Sequence, residues 1–198
     1  MEVLRDGRTF DLAGLAPGPA CTPAQTTHFF DWSGGNAADH HEAMLLSPGP
    51  HVHSGAGAVP VLRSMVALAR DFALFFEELA AVVWPHSASL IGRRFFESTA
   101  TAWLDGGPFP ALGLTAFDLT EDGALETTGL GLWIGQEMRI DPALAQDRVA
   151  ATRLGVRLVN HLVMLGGLRG EERIVAPDGM RLVMVPTPDG SLVRVQRE

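Results

Sequence analysis

The sequence contains no lysine and no tyrosine, and its only cysteine is Cys21. Without lysine, the chain forms no Schiff base and carries no P-loop that holds phosphates through a lysine. The lack of tyrosine removes the phenol as a catalytic group. A single thiol forms neither an internal disulfide nor a thiol-rich metal site, so structure and chemistry rest on other residue types.

Positive charge is also scarce. All 15 basic residues are arginine, and the sequence has 23 acidic residues, which gives a formal net charge of −8. This balance lacks the basic stripe that neutralises phosphates, so we expect no nucleic-acid partner. For the same reason we expect no binding to an anionic membrane surface.

Long uninterrupted apolar runs are missing as well. The longest apolar stretch, residues 59–84, is broken by five charged residues, which a bilayer-spanning helix does not tolerate. The first six residues show neither the basic region nor the apolar region of a signal peptide. We therefore expect a cytoplasmic protein with no membrane partner.

The hydrophobic patterns predict a single α+β domain over residues 1–198. A mostly antiparallel sheet is expected to carry two long helices packed on one face, followed by a C-terminal β-meander. The long helices are predicted at 59–80 and 141–165, the second with an N-cap at Asp141 followed by Pro142. A shorter helix is predicted at 89–103, with Ser89 as its N-cap.

Turn residues set the predicted strands. Asp6-Gly7 is typical of a tight hairpin between residues 2–5 and 8–12. Glu121-Asp122-Gly123 indicates a second hairpin, between strands at 111–119 and 125–134. Two Pro-Asp-Gly turns divide residues 173–197 into a three-stranded meander. Short buried strands are predicted at 42–47 and 81–84, and residues 1–41 form an N-terminal arm that is irregular beyond the hairpin.

Several short motifs follow one another in a recognisable order. Trp32 precedes His40-His41-Glu42, and after the long helix come Val82-Val83-Trp84-Pro85 and Phe95-Phe96. The segments Thr127-Thr128-Gly129-Leu130 and Gly135-Gln136-Glu137 then follow. This series resembles the bacterial family catalogued as domain of unknown function 4261, over roughly residues 32–140. The resemblance implies an α+β fold and a bacterial cytoplasmic protein, and it brings no activity with it.

Histidine is the one residue type that clusters in the sequence. His40 and His41 lie just before the predicted strand at 42–47, and His51 and His53 lie just after it. In an extended segment His51 and His53 point to the same side, so the pair suits a transition metal such as zinc. An extended strand of six residues spans ~20 Å, so the two pairs meet only if the chain bends at Pro48-Gly49-Pro50. The alternative is that all four are solvated loop residues.

Two further candidates are charged. Glu137 lies close to the predicted helix start, where a carboxylate is stabilised structurally, and it is also our candidate for a general acid–base. Arg153 and Arg157, one helical turn apart, suit an anionic ligand, or else form the solvated face of their helix.

These features favour a non-catalytic module that binds a small ligand or another protein. The expectation rests on a large core and an acidic surface without an assembled reaction centre, and it implies no cofactor. Exposed sheet edges in the meander would allow a homodimer. The alternative, from a different class, is a small metal-dependent enzyme that uses the histidine cluster.

Overall fold

The computed structural model describes residues 1–34, 41–52, 55–176 and 178–198. Their contacts group the chain into two compact units, Met1–Gly113 and Leu114–Glu198. We call these the N-terminal unit and the C-terminal unit. The single domain over residues 1–198 stays a prediction.

The α+β class is confirmed, with helices and mostly antiparallel strands in both units. The helices are α1 (Val59–Phe75), α2 (Arg93–Leu104), α3 (Ala111–Leu114), α4 (Gly131–Ile134) and α5 (Arg148–Leu165). The short α3 is interrupted, because Leu112 and Gly113 have non-helical backbone angles. Within the described ranges, none of them is long and apolar enough to cross a membrane.

The N-terminal unit contains two three-stranded sheets in the part that is described. Its strands are β1 (Glu2–Arg5), β2 (Arg8–Ala13), β3 (His28–Phe30), β4 (Leu45–Pro48), β5 (Ala81–Trp84) and β6 (Ser89–Gly92). One sheet has the antiparallel order β1-β2-β4, and the other has the order β3-β6-β5, with β3 parallel to β6. The helix α1 packs against α2 and against β2 and β4. Phe10, Val61 and Leu68 form a buried cluster there.

The C-terminal unit is built on one six-stranded sheet. Its strands are β7 (Ala116–Leu119), β8 (Leu125–Thr128), β9 (Glu137–Ile140), β10 (Glu172–Val175), β11 (Arg181–Pro186) and β12 (Leu192–Arg197). Their order is β10-β11-β12-β9-β8-β7, and every pairing is antiparallel except that of β9 with β12. The helix α5 packs on β9 and α4.

The strongest turn signals place their strands correctly. The Asp6-Gly7 hairpin joins β1 to β2, the turn at 121–123 joins β7 to β8, and the C-terminal meander forms from β10 to β12. On α5 the predicted core residues Ala151, Leu158 and Leu162 are buried. In each case the local pattern and the final packing agree.

The arrangement of the sheets differs from the prediction. The sequence predicts one sheet with both long helices on one face. In the described residues the strands instead form three sheets, and α1 and α5 belong to different units. The N-terminal arm also contains a strand, since His28–Phe30 pairs with Ser89–Gly92.

The predicted helix at 89–103 is wrong over its first four residues. Ser89 is fully buried in β6 and is not a helix cap. Its hydroxyl donates to the carbonyl oxygen of Ser87 at 3.2 Å. Pairing with β3 and β5 on both sides makes the extended conformation more favourable than the local helical pattern.

The second long helix starts later than predicted. Asp141 caps only a single 3₁₀ turn, Pro142–Leu144, by accepting from the Ala143 N–H at 2.8 Å. The N-cap of α5 is Asp147, whose carboxylate accepts from the N–H groups of the second and third helical residues. The helix then ends at Leu165 before Gly166, as predicted.

Two predicted strands are shorter than expected, each because a glycine has a positive φ. The strand predicted at 111–119 begins only at Ala116, after Gly113 at φ 102°. The strand predicted at 125–134 stops at Thr128, because Gly129 adopts φ 93° and turns the chain into α4. Only glycine adopts such angles at low cost.

Candidate functional site

A cleft of about 410 Å³ with several charged side chains in its lining opens between a hairpin and two helices of the N-terminal unit. We call it the arginine cleft. The β1–β2 hairpin, α1 and the end of α2 contribute its walls. Its lining residues are Arg5, Asp6, Arg8, Pro60, Arg63, Ser64, Ala67, Arg70, Leu104 and Asp105.

The wall that α1 provides follows from helical spacing. Pro60, Arg63, Ser64, Ala67 and Arg70 recur every three or four residues, so their side chains lie on one face of the helix. Ser64 and Ala67 are buried, at 3% and 4% exposure, and form the floor. The two arginines, one heptad apart, project from the same face.

Arg63 is held in place from two directions. Its guanidinium lies over the Trp103 ring, 4.9 Å from the ring centroid. Its Nη2 donates to the carbonyl oxygen of Leu104 at 2.5 Å. Stacking on an aromatic face and a bond to a helix-end carbonyl fix the orientation of the guanidinium plane.

Asp71 joins two more of the cleft arginines. One of its carboxylate oxygens accepts from Arg5 Nη1, and the other accepts from Arg70 Nε at 2.7 Å. The side chain of Arg70 is only 18% exposed. The shared carboxylate ties β1 to α1 and keeps the two cations close together despite their mutual repulsion.

The hairpin turn completes the cleft. The buried Ser64 hydroxyl donates to Asp6 Oδ2 at 2.8 Å, and the same Oδ2 lies 3.8 Å from Arg5 Nε. Arg8 Nη1 donates to the Asp6 carbonyl oxygen at 3.1 Å. Asp6 has φ 49°, as a tight hairpin turn requires, and this conformation directs its side chain toward α1.

The cleft concentrates positive charge that is scarce elsewhere in this unit. Residues 1–113 contain six arginines, and four of them line the cleft, together with two aspartates, while the Asp71 carboxylate bonds to two of the four. One of the other two, Arg93, donates to the Ala73 carbonyl oxygen in the last turn of α1 and to that of Glu77 just after the helix. The last, Arg94, is exposed on α2.

Glu137, the candidate acid–base, lies in the C-terminal unit at the start of β9. Its Oε1 accepts from the N–H groups of Gly129 and Gly131 at 2.9 and 2.8 Å. Its Oε2 accepts from Thr127 Oγ1 at 2.6 Å and from the Leu130 N–H at 3.2 Å. With four donors bonded to its two oxygens, the Glu137 carboxylate has a structural role: it connects the start of β9 to residues 127–131.

Gln136, beside it, fills a similar role that the sequence pattern did not reveal. The side chain is buried and bridges three segments. Its Nε2 donates to the Leu168 and Gly190 carbonyl oxygens, each at 3.0 Å, and its Oε1 accepts from the Leu168 N–H at 2.7 Å. The amide therefore joins the start of β9 to the turns that follow α5 and β11.

Arg153 and Arg157 lie on the exposed face of α5, one turn apart as expected. Both belong to the C-terminal unit, whereas the arginine cleft belongs to the N-terminal unit. Their role as an anion-binding pair stays a prediction. On the same face His161 Nε2 lies 2.9 Å from Glu172 Oε1, which links α5 to β10.

The histidine cluster falls partly outside the described residues, since His40 and His53 are not among them. His51 is exposed in a turn, and His41 packs edge-on against the Trp32 ring with the ring centroids 5.7 Å apart. Across the described ranges, no three His, Cys, Asp or Glu side chains are placed to hold one metal ion. The metal site stays a prediction.

Two carboxylates with lowered pKa values belong to turns rather than to a cleft. The Thr120 hydroxyl, 2.5 Å away, lowers the pKa of Asp122 in the β7–β8 turn. In the β11–β12 turn the Thr187 hydroxyl, also at 2.5 Å, lowers the pKa of Asp189 to about 2. Such bonds to the ionised form stabilise the turns.

No model of a known protein family, no curated protein and no solved structure matches this chain. The membership of the bacterial family 4261 therefore stays a prediction.

Sequence reasoning did not identify the arginine cleft. The polar stripe of the long helix already includes Arg63 and Arg70, and their seven-residue spacing places both on one side. Arg5 and Arg8 flank a hairpin more than fifty residues earlier, and no periodicity connects them to that stripe. Their meeting depends on the packing of α1 against β2 and β4.

Proposed function

We propose that this chain is a non-catalytic binding module, and that the arginine cleft takes a small anionic ligand. The observation that supports the proposal is the convergence of four guanidinium groups on one cleft in a chain of net charge −8. Guanidinium groups match carboxylate and phosphate oxygens with paired N–H donors. Clefts of about 300–1,000 Å³ are typical of small-molecule sites.

The preorganisation of the cleft also favours binding. Arg63 is fixed by Trp103 and Leu104, and Arg70 is fixed by Asp71. A ligand that meets side chains already held in place loses less conformational entropy on binding. Guanidinium groups stay protonated at all ordinary pH values, so they act by charge and hydrogen bonding and not by proton transfer. That chemistry is suited to binding.

Isothermal titration calorimetry with pyrophosphate and with citrate tests the proposal. We expect both probes to bind the native protein more tightly than about 1 mM, and we expect the affinity to fall as salt is added. Arg8→Gln should weaken binding about tenfold, because charge-assisted bonds to an oxyanion are lost. Arg94→Gln removes an exposed arginine outside the cleft and should leave the affinity unchanged.

The proposal fails if the native protein binds neither probe at about 1 mM. It also fails if Arg8→Gln and Arg94→Gln weaken binding equally, since the effect would then come from overall charge and not from the cleft. Circular dichroism of each variant establishes that the fold is retained.

A further inference from the structure

The arginine cleft already holds one carboxylate of the protein itself, that of Asp6. Asp6 Oδ2 accepts from the buried Ser64 hydroxyl at 2.8 Å and lies 3.8 Å from Arg5 Nε. A hydroxyl donor and a guanidinium around one carboxylate oxygen are what a bound anion would meet there. The Asp6 side chain is nevertheless 58% exposed, so water reaches it and it can move aside.

We infer that Asp6 is a built-in competitor for the ligand, and that an incoming anion displaces its carboxylate from Ser64 and Arg5. The inference rests on the proposed function, because it assigns a specificity-determining residue to the same cleft. Asp6 occupies the tip of the β1–β2 hairpin, where the side chain can rotate away without disturbing the strand pairing on either side.

Because Asp6 competes for the same donors, the affinity of the cleft depends on how many oxyanion groups the ligand carries. A single carboxylate would gain from Ser64 and Arg5 only what Asp6 gives up, and it would still lose its own translational and rotational freedom. An anion with two or more oxyanion groups also reaches Arg8 or Arg63, whereas Arg70 already binds the Asp71 carboxylate. The cleft is therefore selective for small polyanions.

Asp105 provides the matched comparison. It lines the same cleft from the end of α2 and carries the same charge as Asp6. Among the described residues, its carboxylate makes no bond to Ser64 or to a cleft arginine, unlike that of Asp6. Removing the charge of Asp105 changes the electrostatic field of the cleft, whereas removing that of Asp6 also releases the donors that it occupies.

Calorimetric titration of Asp6→Asn and Asp105→Asn with pyrophosphate and citrate tests the inference. Asparagine tolerates the positive φ of this position, and its neutral amide oxygen accepts from Ser64 and Arg5 less strongly than a carboxylate does, so an incoming anion displaces it more easily. We expect Asp6→Asn to bind both probes about tenfold more tightly than the native protein, a change of about 1.4 kcal/mol. Asp105→Asn should stay within about twofold of the native affinity because it acts only through a screened field. Asp6→Gly, which also suits this turn, should behave like Asp6→Asn.

The possible results separate the inference from the proposed function. Native binding with no gain, or a loss, in both Asp6 variants overturns the inference and leaves the proposed function standing. Equal gains in the Asp6 and Asp105 variants also overturn it, because the field alone would explain them. A larger gain for both Asp6 variants than for Asp105→Asn, with either probe, supports it. If the native protein binds neither probe, the proposed function fails and the inference fails with it.

Discussion

Glu137 shows how a residue that is a candidate for chemistry can be accounted for by structure. Its two oxygens take four hydrogen bonds, three of them from backbone N–H groups in the turn between β8 and α4. The Thr127–Leu130 segment and Glu137, both quoted for the family resemblance, meet in this one arrangement. A backbone turn of this kind binds an anion, and here the anion belongs to the chain.

At the residue scale we therefore expect Glu137→Gln to destabilise the protein. The substituted amide has one NH₂ group, which would face N–H donors whichever way it is oriented. The loss should be about 2–3 kcal/mol, the range for bonds to a charged group, measured as the free energy of urea unfolding.

The control for this variant is Glu121→Gln, a change of the same chemistry at an exposed position in the β7–β8 turn. It should change the unfolding free energy by less than about 0.5 kcal/mol. Equal effects of the two substitutions would contradict the structural role of Glu137.

At the scale of elements, the sequence correctly predicted the hairpins, because a hairpin depends on residues that are adjacent in the chain. Asp6-Gly7 and the turn at 121–123 specify hairpins through adjacent residues, and both hairpins form. The start of β6 shows the opposite case. Leu90 and Ile91 fit an amphipathic helix, yet the segment pairs with His28–Phe30, sixty residues earlier in the chain. No sequence window near Ser89 contains that partner.

The packing of α5 on the sheet gives a prediction at the same scale. A Cβ added at Gly155 would lie 2.6 Å from Phe117 Cε1, too close for any real contact. Alanine gains about 1 kcal/mol over glycine inside a helix, but overpacking a core costs about 1–3 kcal/mol. We expect Gly155→Ala to lower the free energy of unfolding by about 1 kcal/mol.

A double-mutant cycle with Phe117→Leu tests whether contact with the Phe117 ring causes the destabilisation by Gly155→Ala. Because leucine removes the ring that meets the new methyl group, the double variant should be more stable than the sum of the two single effects. Arg153→Ala, on the exposed face of the same helix, should change stability little. A stabilising Gly155→Ala would show that the helix shifts freely away from the sheet.

On the scale of the whole molecule, the α+β class, the meander and the apolar face of α5 were predictable, because each depends on composition or period. The arginine cleft was not, since it joins a hairpin near residue 6 to a helix near residue 65. Glu137 was visible in the sequence, but its donors come from a turn that only Gly129 at φ 93° allows. Long-range packing and positive φ angles are what a pattern of polar and apolar residues does not encode.

The metal content of the whole molecule distinguishes the proposed binding module from the alternative, a metal-dependent enzyme. A chain of net charge −8 attracts divalent cations to its surface carboxylates, so adventitious binding must be distinguished from a site. Protein purified without a histidine tag should carry less than about a tenth of an equivalent of zinc, and added zinc should not raise its Tm. Elemental analysis and thermal unfolding measure the two quantities.

Histidine variants show whether any bound zinc depends on the histidine cluster. If the alternative enzyme exists, one equivalent of zinc should be retained, and His51→Ala and His53→Ala should each release it. His86→Ala, an exposed histidine beside Trp84, should release none. Imidazole ligands bind zinc at a fixed stoichiometry, whereas loss of one histidine does not alter loose binding to carboxylates. Stoichiometric zinc that depends on His51 and His53 would therefore overturn the non-catalytic proposal and favour the metal-dependent enzyme.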